Sequence, residues 1–254
     1  MKGVYSIPTN ILSRYTDINL FPDNTYFYDS GGDTKDIVKL DFETLVKFHE
    51  KFYHPSNSKI FVSGIATKDD SKNATLSIID EYLNEFEENM DIKDKSVVEY
   101  QKKNIETPIV KSYPYQAAAV STVGEDNDQA SSSSGQHMIQ VSWLLNDEPL
   151  TPVQELSLLV LDHLLVMTES SILKKRLLES QLGDSIVGWG LSLSLIQQCF
   201  SMGLSGVTEE NVFEVEKLVM DTMKEAAVNG FTDDEISASM NTLEFQVSFF
   251  LLLL

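Results

Sequence analysis

A single cysteine, Cys199, is present in 254 residues, and four histidines, His49, His54, His137 and His163. One thiol excludes an intramolecular disulfide framework and a cysteine-rich metal cluster. Set in CFSMGL without basic neighbours, Cys199 reads as a small buried apolar residue rather than a reactive thiol. Cations are also scarce: 19 Lys and Arg stand against 39 Asp and Glu, for a formal charge of −20. A field of that sign repels phosphate backbones and anionic lipid, so nucleic acid and membrane surfaces are poor partners and cationic ones better. The longest greasy run, VSFFLLLL at the C-terminus, is too short to span a bilayer and reads as an artefactual tail over 248–254. No charged-then-apolar leader and no Arg-rich transit segment opens the chain.

What is present is enough apolar material, 42% of residues, for a real core. Over residues 1–90 the pattern predicts helices around one strand. Asp41 is placed to cap a helix with apolar positions at Phe42, Leu45, Val46 and Tyr53, and Pro55 follows its end. KIFVSGI (59–65) reads as a strand, and Leu76, Ile79, Leu83 and Phe86 form one stripe of a surface helix packed on a sheet. Periodicity gives way to charge over 91–106, which marks a linker. Within the second segment, 107–247, residues 116–136 form a low-complexity insertion containing QASSSSGQ, with too little apolar surface to offset ordering.

HMIQVSWLL (137–145) then alternates as a half-buried strand does. Thr151, Pro152 and Gln154 form a capping box ahead of an almost wholly apolar helix, which should be covered on most sides. SSILKKRLLESQLG reads as a helix stopped by Gly183, and residues 196–207 as a strand. Thr208 is placed to cap a helix ending at Gly230, and Thr232 with Glu235 forms a further capping box. The order of elements predicts an α+β fold, an antiparallel-rich sheet with helices on one face.

No chemistry-bearing motif is complete. Two imidazoles four residues apart on a helix lie about 40° apart around its axis, the geometry behind HExxH. HEKFYH spaces His49 and His54 by five, which rotates the second ring to about 140° from the first. His163, in LDHLL, reads as a buried hydrogen-bonded ring or an interdomain contact. GWGLSL, SGGD and Ser131–Ser134 lack the context of a dinucleotide, phosphate or nucleophile site, and Asn73 of NAT falls in a helix. No residue is assigned as catalytic or metal-binding, and none can be named for substrate binding.

In this order and at these intervals, MKGVYS, LFPDNTY, DSGGD, HPSNSKIF, VSWLL, LDHLL, LKKRLLESQLGDSIV, GLSGVTEENV and SMNTLEF resemble the presequence protease branch of the pitrilysin-like peptidase family M16, of the plant-like organellar type. The resemblance runs over nearly all of 1–247 apart from 116–136. It implies a zinc endopeptidase of two bowl-like halves that degrades cleaved targeting peptides and other short unfolded peptides in the mitochondrial matrix or chloroplast stroma. It further implies that 1–90 is the back half of a first M16 domain and 107–247 much of a second. In such enzymes an inverted HxxEH and a downstream Glu hold Zn²⁺. The resemblance places all of these before residue 1, so the chain alone is expected to bind no zinc, to be inactive and to be poorly soluble. Its implied partners are the remainder of the peptidase chain and basic presequences. The alternatives are a non-catalytic pitrilysin-like binding or assembly subunit, or a non-functional incomplete gene product.

Overall fold

The computed structural model describes residues 3, 5, 7–63, 69–102, 108–115 and 137–252. They divide into two compact units, Asp29–Glu99 and a larger one made of Met1–Tyr28 with Tyr100–Leu254. Residues 116–136 lie outside the described residues, as do 64–68, 103–107 and the end of the tail.

The larger unit begins with helix α1 (Pro8–Leu20), which starts on a proline whose missing N–H would have had no helical partner. The smaller unit then contributes α2 (Thr34–Ile37), α3 (Phe42–Phe52), α4 (Asp69–Leu83) and α5 (Met90–Lys95). The sequence reading holds at the start of α3, where Asp41 Oδ1 accepts the N–H of Thr44 at 2.7 Å. It does not hold at KIFVSGI. Residues 59–63 are not in a strand, and 64–65 lie outside the described residues. A strand needs a neighbour to take its N–H and C=O groups, and no strand lies among the described residues of this unit. None of those residues is buried either, and Phe42 is 80% exposed. The apolar stripe of α4 is therefore present without, among the described residues, the sheet on which it was expected to pack. α5 occupies the start of the stretch read as a linker.

Returning to the larger unit, β1 (His137–Leu144) leads through Thr151 into α6 (Pro152–Asp162), whose last turn widens to a π-helix over His163–Met167. Helix α7 (Ile172–Glu179), β2 (Ser185–Ser192), β3 (Cys199–Val207), α8 (Val212–Asn229) and α9 (Asp233–Leu252) follow. The three strands form an antiparallel sheet in the order β1-β3-β2. The fold is α+β, as the order of elements predicts.

Register decides which side chains reach the core. Ile139, Val141 and Trp143 of β1 stand opposite Leu204, Met202 and Phe200 of β3. They pack with Leu173 and Leu177 of α7 and Val215, Val219 and Ala226 of α8. The register slips at the first pair, where His137 faces Val207 and Met138 faces Ser205. Gly206, at φ 70°, is the extra residue of this β-bulge. The bulge turns Val207 into the core beside Leu204 rather than leaving it on the face of Ser205. Capping follows the sequence at Thr151, where Gln154 N–H and side chain reciprocate, and at Thr232 with Glu235.

Three expectations are corrected here. Helix α7 stops at Glu179, before Gly183; Gln181 at φ 56° makes the reversal, and Gly183 instead lies close against Ser205. Thr208 makes no capping bond, because a 3₁₀ turn over Glu209–Asn211 separates it from α8. Helix α6 is not covered on most sides: its buried residue is Asp162, while Val153 is 74% exposed.

Candidate functional site

The four histidines do not converge on a cation. His49 stacks its ring on Tyr53 at a centroid distance of 4.8 Å, and His54 uses Nδ1 to accept the N–H of Ser56 at 3.2 Å. His163 Nδ1 lies 2.9 Å from Ser239 Oγ, and His137 begins β1 at the solvent. Among the described residues no three His, Cys, Asp or Glu side chains are grouped to hold a metal ion. The described side chains therefore do not form a zinc site, which needs three converging protein ligands.

Cys199 is buried at the start of β3 against Leu20 and Phe21. Burial, with a smaller contribution from the charge of Asp17, pushes its thiol up to about 11. At neutral pH it is neutral and unreactive, since the thiolate is the nucleophile.

The one charged side chain buried in the larger unit's helices is Asp162 among the described residues. It sits where α6 passes into the π-helix, and its Oδ1 accepts the N–H of Leu191 in β2 at 2.8 Å. Burial raises its pKa, while the Leu191 hydrogen bond and nearby His163 oppose the rise. Next in sequence, His163 pairs with Ser239 of α9, and the His163 carbonyl accepts from Ser171 Oγ at 2.8 Å. A Ser–His–Asp order of residue types is thus assembled, but not a relay. A relay needs the carboxylate on the second imidazole nitrogen, whereas Asp162 is turned to the backbone of β2, and Ser239 is only 3% exposed. The cluster joins α6, α9 and the sheet. The helical stretch Pro152–Glu179 is long and apolar enough by composition to cross a membrane, yet it breaks at Thr168–Ser171, and Leu173 and Leu177 are core residues.

The sheet face opposite the core is polar. Ser201 Oγ donates to Ser142 Oγ at 2.9 Å, Gln140 Nε2 donates to Ser142 Oγ at 3.0 Å and to Thr16 Oγ1 of α1 at 2.9 Å, and Ser185 pairs with Ser205 at 2.7 Å. Gln140 Oε1 is buried with no partner among the described residues. α1 lies against the β1 part of this face. The Ser185–Ser205 end is open to solvent. Of these groups, only the Ser185–Ser205 pair is exposed, whereas Ser201 is fully buried.

The sequence reading singled out His163 and missed its neighbour Asp162, although an aspartate within LVLDHLL is itself a signal, since a carboxylate rarely enters an apolar helix face without a fixed partner. Small polar residues alternate through QVSW and CFSMGLSGV, but the sequence reading took these stretches only as strands and drew no polar face from them.

Residues 39–243 match the family described as Peptidase M16 inactive domain. The chain is 45% identical over 248 residues to presequence protease 1, chloroplastic/mitochondrial, of Arabidopsis thaliana, covering 97% of this chain and 21% of that protein. It is 32% identical to protein HypA of Clostridium perfringens, over 97% of this chain and 23% of that protein. It is 31% identical to the mitochondrial presequence protease of Mus musculus, over 97% of this chain and 22% of that one. It thus spans about a fifth of the length of these relatives. With the family match extending over most of the chain and the antiparallel α+β core in place, the chain belongs to the peptidase M16 family, in its presequence protease branch.

Proposed function

We propose that this chain is a wall-forming part of a zinc metalloendopeptidase that degrades cleaved targeting presequences and other short unfolded peptides in mitochondria or plastids. The Zn²⁺ is held by other parts of the enzyme. The 45% identity across 97% of the chain to a protein named as a presequence protease carries this reading. In it, residues 1–90 correspond to the back half of one M16 domain, 91–106 to a linker and 107–247 to much of the next.

The structure supports a wall rather than a reaction centre. The apolar side of the sheet is filled by α7 and α8, the β1 part of the other side is closed by hydrogen bonds to α1 and between Ser201 and Ser142, and only the Ser185–Ser205 end is exposed. The formal charge of −20 suits Arg-rich, acid-poor presequences, which a negative surface attracts over distances of about 10 Å at ordinary ionic strength. The remainder of the peptidase chain is the partner this reading requires.

Grafting supplies the test. Residues 1–247 replace the homologous segment of the Arabidopsis relative, and cleavage of a basic leader peptide is followed with and without chelator. Retained, chelator-sensitive cleavage by the chimaera, with none by the 254-residue chain alone, is the expected result. Stoichiometric zinc and chelator-sensitive cleavage in the chain alone would overturn it. The description of the matched family as an inactive domain favours a second reading, a non-catalytic binding or assembly subunit. That reading predicts capture of the leader peptide by the chain alone and an inactive chimaera.

A further inference from the structure

The smaller unit is an insertion in the larger one: the chain leaves after Tyr28 and returns at Tyr100. Just outside these crossings the two limbs are tied together. The N–H of Asp23 donates to Gln101 Oε1 at 2.8 Å, and Gln101 Nε2 donates back to Asp23 Oδ2 at 2.6 Å. Gln197, fully buried ahead of β3, repeats the pattern more deeply. Its Oε1 accepts the N–H of Gln101, and its Nε2 donates to the carbonyl oxygens of Gln101 at 3.1 Å and Asn146 at 2.8 Å.

A primary amide offers the same donor and acceptor as a peptide group. Gln197 therefore holds the backbone of Gln101 as a neighbouring strand would, at a sequence separation of 96 residues. The Asn146 side chain behind it is paired on both atoms: Oδ1 accepts the N–H of Gln198 at 2.7 Å and Nδ2 donates to the Glu148 carbonyl at 2.8 Å, while Gln198 Oε1 is buried with no partner among the described residues. On the outgoing limb, Arg14 Nη1 donates to the Phe27 carbonyl at 2.6 Å, and Tyr26 Oη accepts the N–H of Ile196 at 3.2 Å. Gln101, Asn146, Gln197 and Gln198 are all buried. Breaking one partner would leave another without water, so the cluster is held as a set.

We infer that Asp23, Gln101, Asn146 and Gln197 form a neck clamp, which anchors the exit and return of the Asp29–Glu99 insertion to the sheet and prevents opening or cleavage within the insertion from loosening the sheet. The sheet carries its own core of α7 and α8 side chains and needs the insertion only as a connection. Without the clamp, the ends freed by a cut in the insertion would have no fixed hold beside the sheet; while the insertion is intact, its covalent connection supplies one.

The test uses the full chain with a specific protease site placed at Val38–Leu40, where both named side chains are exposed. Hydrogen exchange is read by mass spectrometry before and after cutting. The cut is expected to leave exchange in β3 within about twofold of the intact chain. In uncut Gln197→Met, the Gln101 amide is expected to exchange about tenfold faster, with β3 unchanged. Asp23→Ala, which removes the carboxylate acceptor of Gln101 Nε2 but keeps the backbone N–H on Gln101 Oε1, is expected to give a smaller acceleration at Gln101 and again no change in β3. A cut that accelerates β3, a Gln197→Met chain with an equally protected Gln101 amide, or either variant losing neck and sheet protection together would each overturn the clamp.

Discussion

Asp162 Oδ1 accepts the backbone N–H of Leu191 at 2.8 Å, tying the end of α6 to the irregular middle of β2. The approach is close because the intervening position is Gly190, whose φ is 70°. A β-carbon there would lie 2.5 Å from Asp162 Oδ1 and 2.8 Å from Val166 Cγ2. Gly190→Ala is expected to cost about 1–3 kcal/mol through backbone strain and crowding. A shift of the urea midpoint at constant m-value measures it, and an unchanged midpoint would show that the junction yields freely.

The same carboxyl sets a pH dependence. Burial raises the folded-state pKa of Asp162 above its unfolded value, so the native state holds the proton more tightly. The stabilisation from the bound proton is fully present below the unfolded pKa and is lost as pH rises through the folded pKa. Asp162→Asn keeps an acceptor for Leu191 and removes the titration. The melting temperature of the variant relative to the parent is therefore expected to rise as pH increases from below the unfolded pKa through the raised folded one. Parallel curves would show that the carboxylate ionises in place without cost.

Two threonines that look alike in sequence should behave differently. Thr151→Ala breaks a reciprocal cap with Gln154 and is expected to cost about 1 kcal/mol. Thr208 makes no capping bond, and its Oγ1 is buried without a partner among the described residues. Thr208→Val should therefore be neutral or stabilising. Denaturant titration of the two variants side by side distinguishes them.

Cys199, with its thiol at about 11, has a thiolate fraction on the order of 0.1% at pH 8. Iodoacetamide should leave the folded chain unmodified and label it fully in denaturant, as read by intact mass. Rapid labelling of the native chain would place Cys199 outside the core.

Burial separates the two units energetically. Leu204→Ala, in the sheet core at 1% exposure, is expected to cost about 2–5 kcal/mol. Phe42→Ser on the open stripe of α3 should stay within about 0.5 kcal/mol and improve solubility. Equal losses of stability, measured by thermal denaturation, would mean that α3 is packed in solution.

Local signals were readable where the partner lies within a few residues. The Thr151–Gln154 cap, the Asp41 cap, the alternation of β1 and the stop at Gly230 each depend on spacing of four residues or fewer, or on a single backbone preference. KIFVSGI failed as a strand because its β-branched and aromatic composition describes a side-chain preference, while strand formation needs a second backbone. Gly183 failed as a helix stop because the same residue type also suits close packing, here against Ser205. For the candidate site, the lack of HExxH spacing was evident from counting residues, but the Asp162–Leu191 bond spans 29 positions and has no periodic trace.

Composition and periodicity by themselves determined the acidic character, the α+β class, the positions of most helices and β1, and the word order that resembles presequence proteases, because these depend on residue type and short spacing. Tertiary structure alone decided that Gly206 turns Val207 inward, that Ser201 bonds Ser142 on the sheet face away from the core, and that Gln197 grips Gln101. Each of those joins groups far apart in the chain, where only the folded path sets the distance.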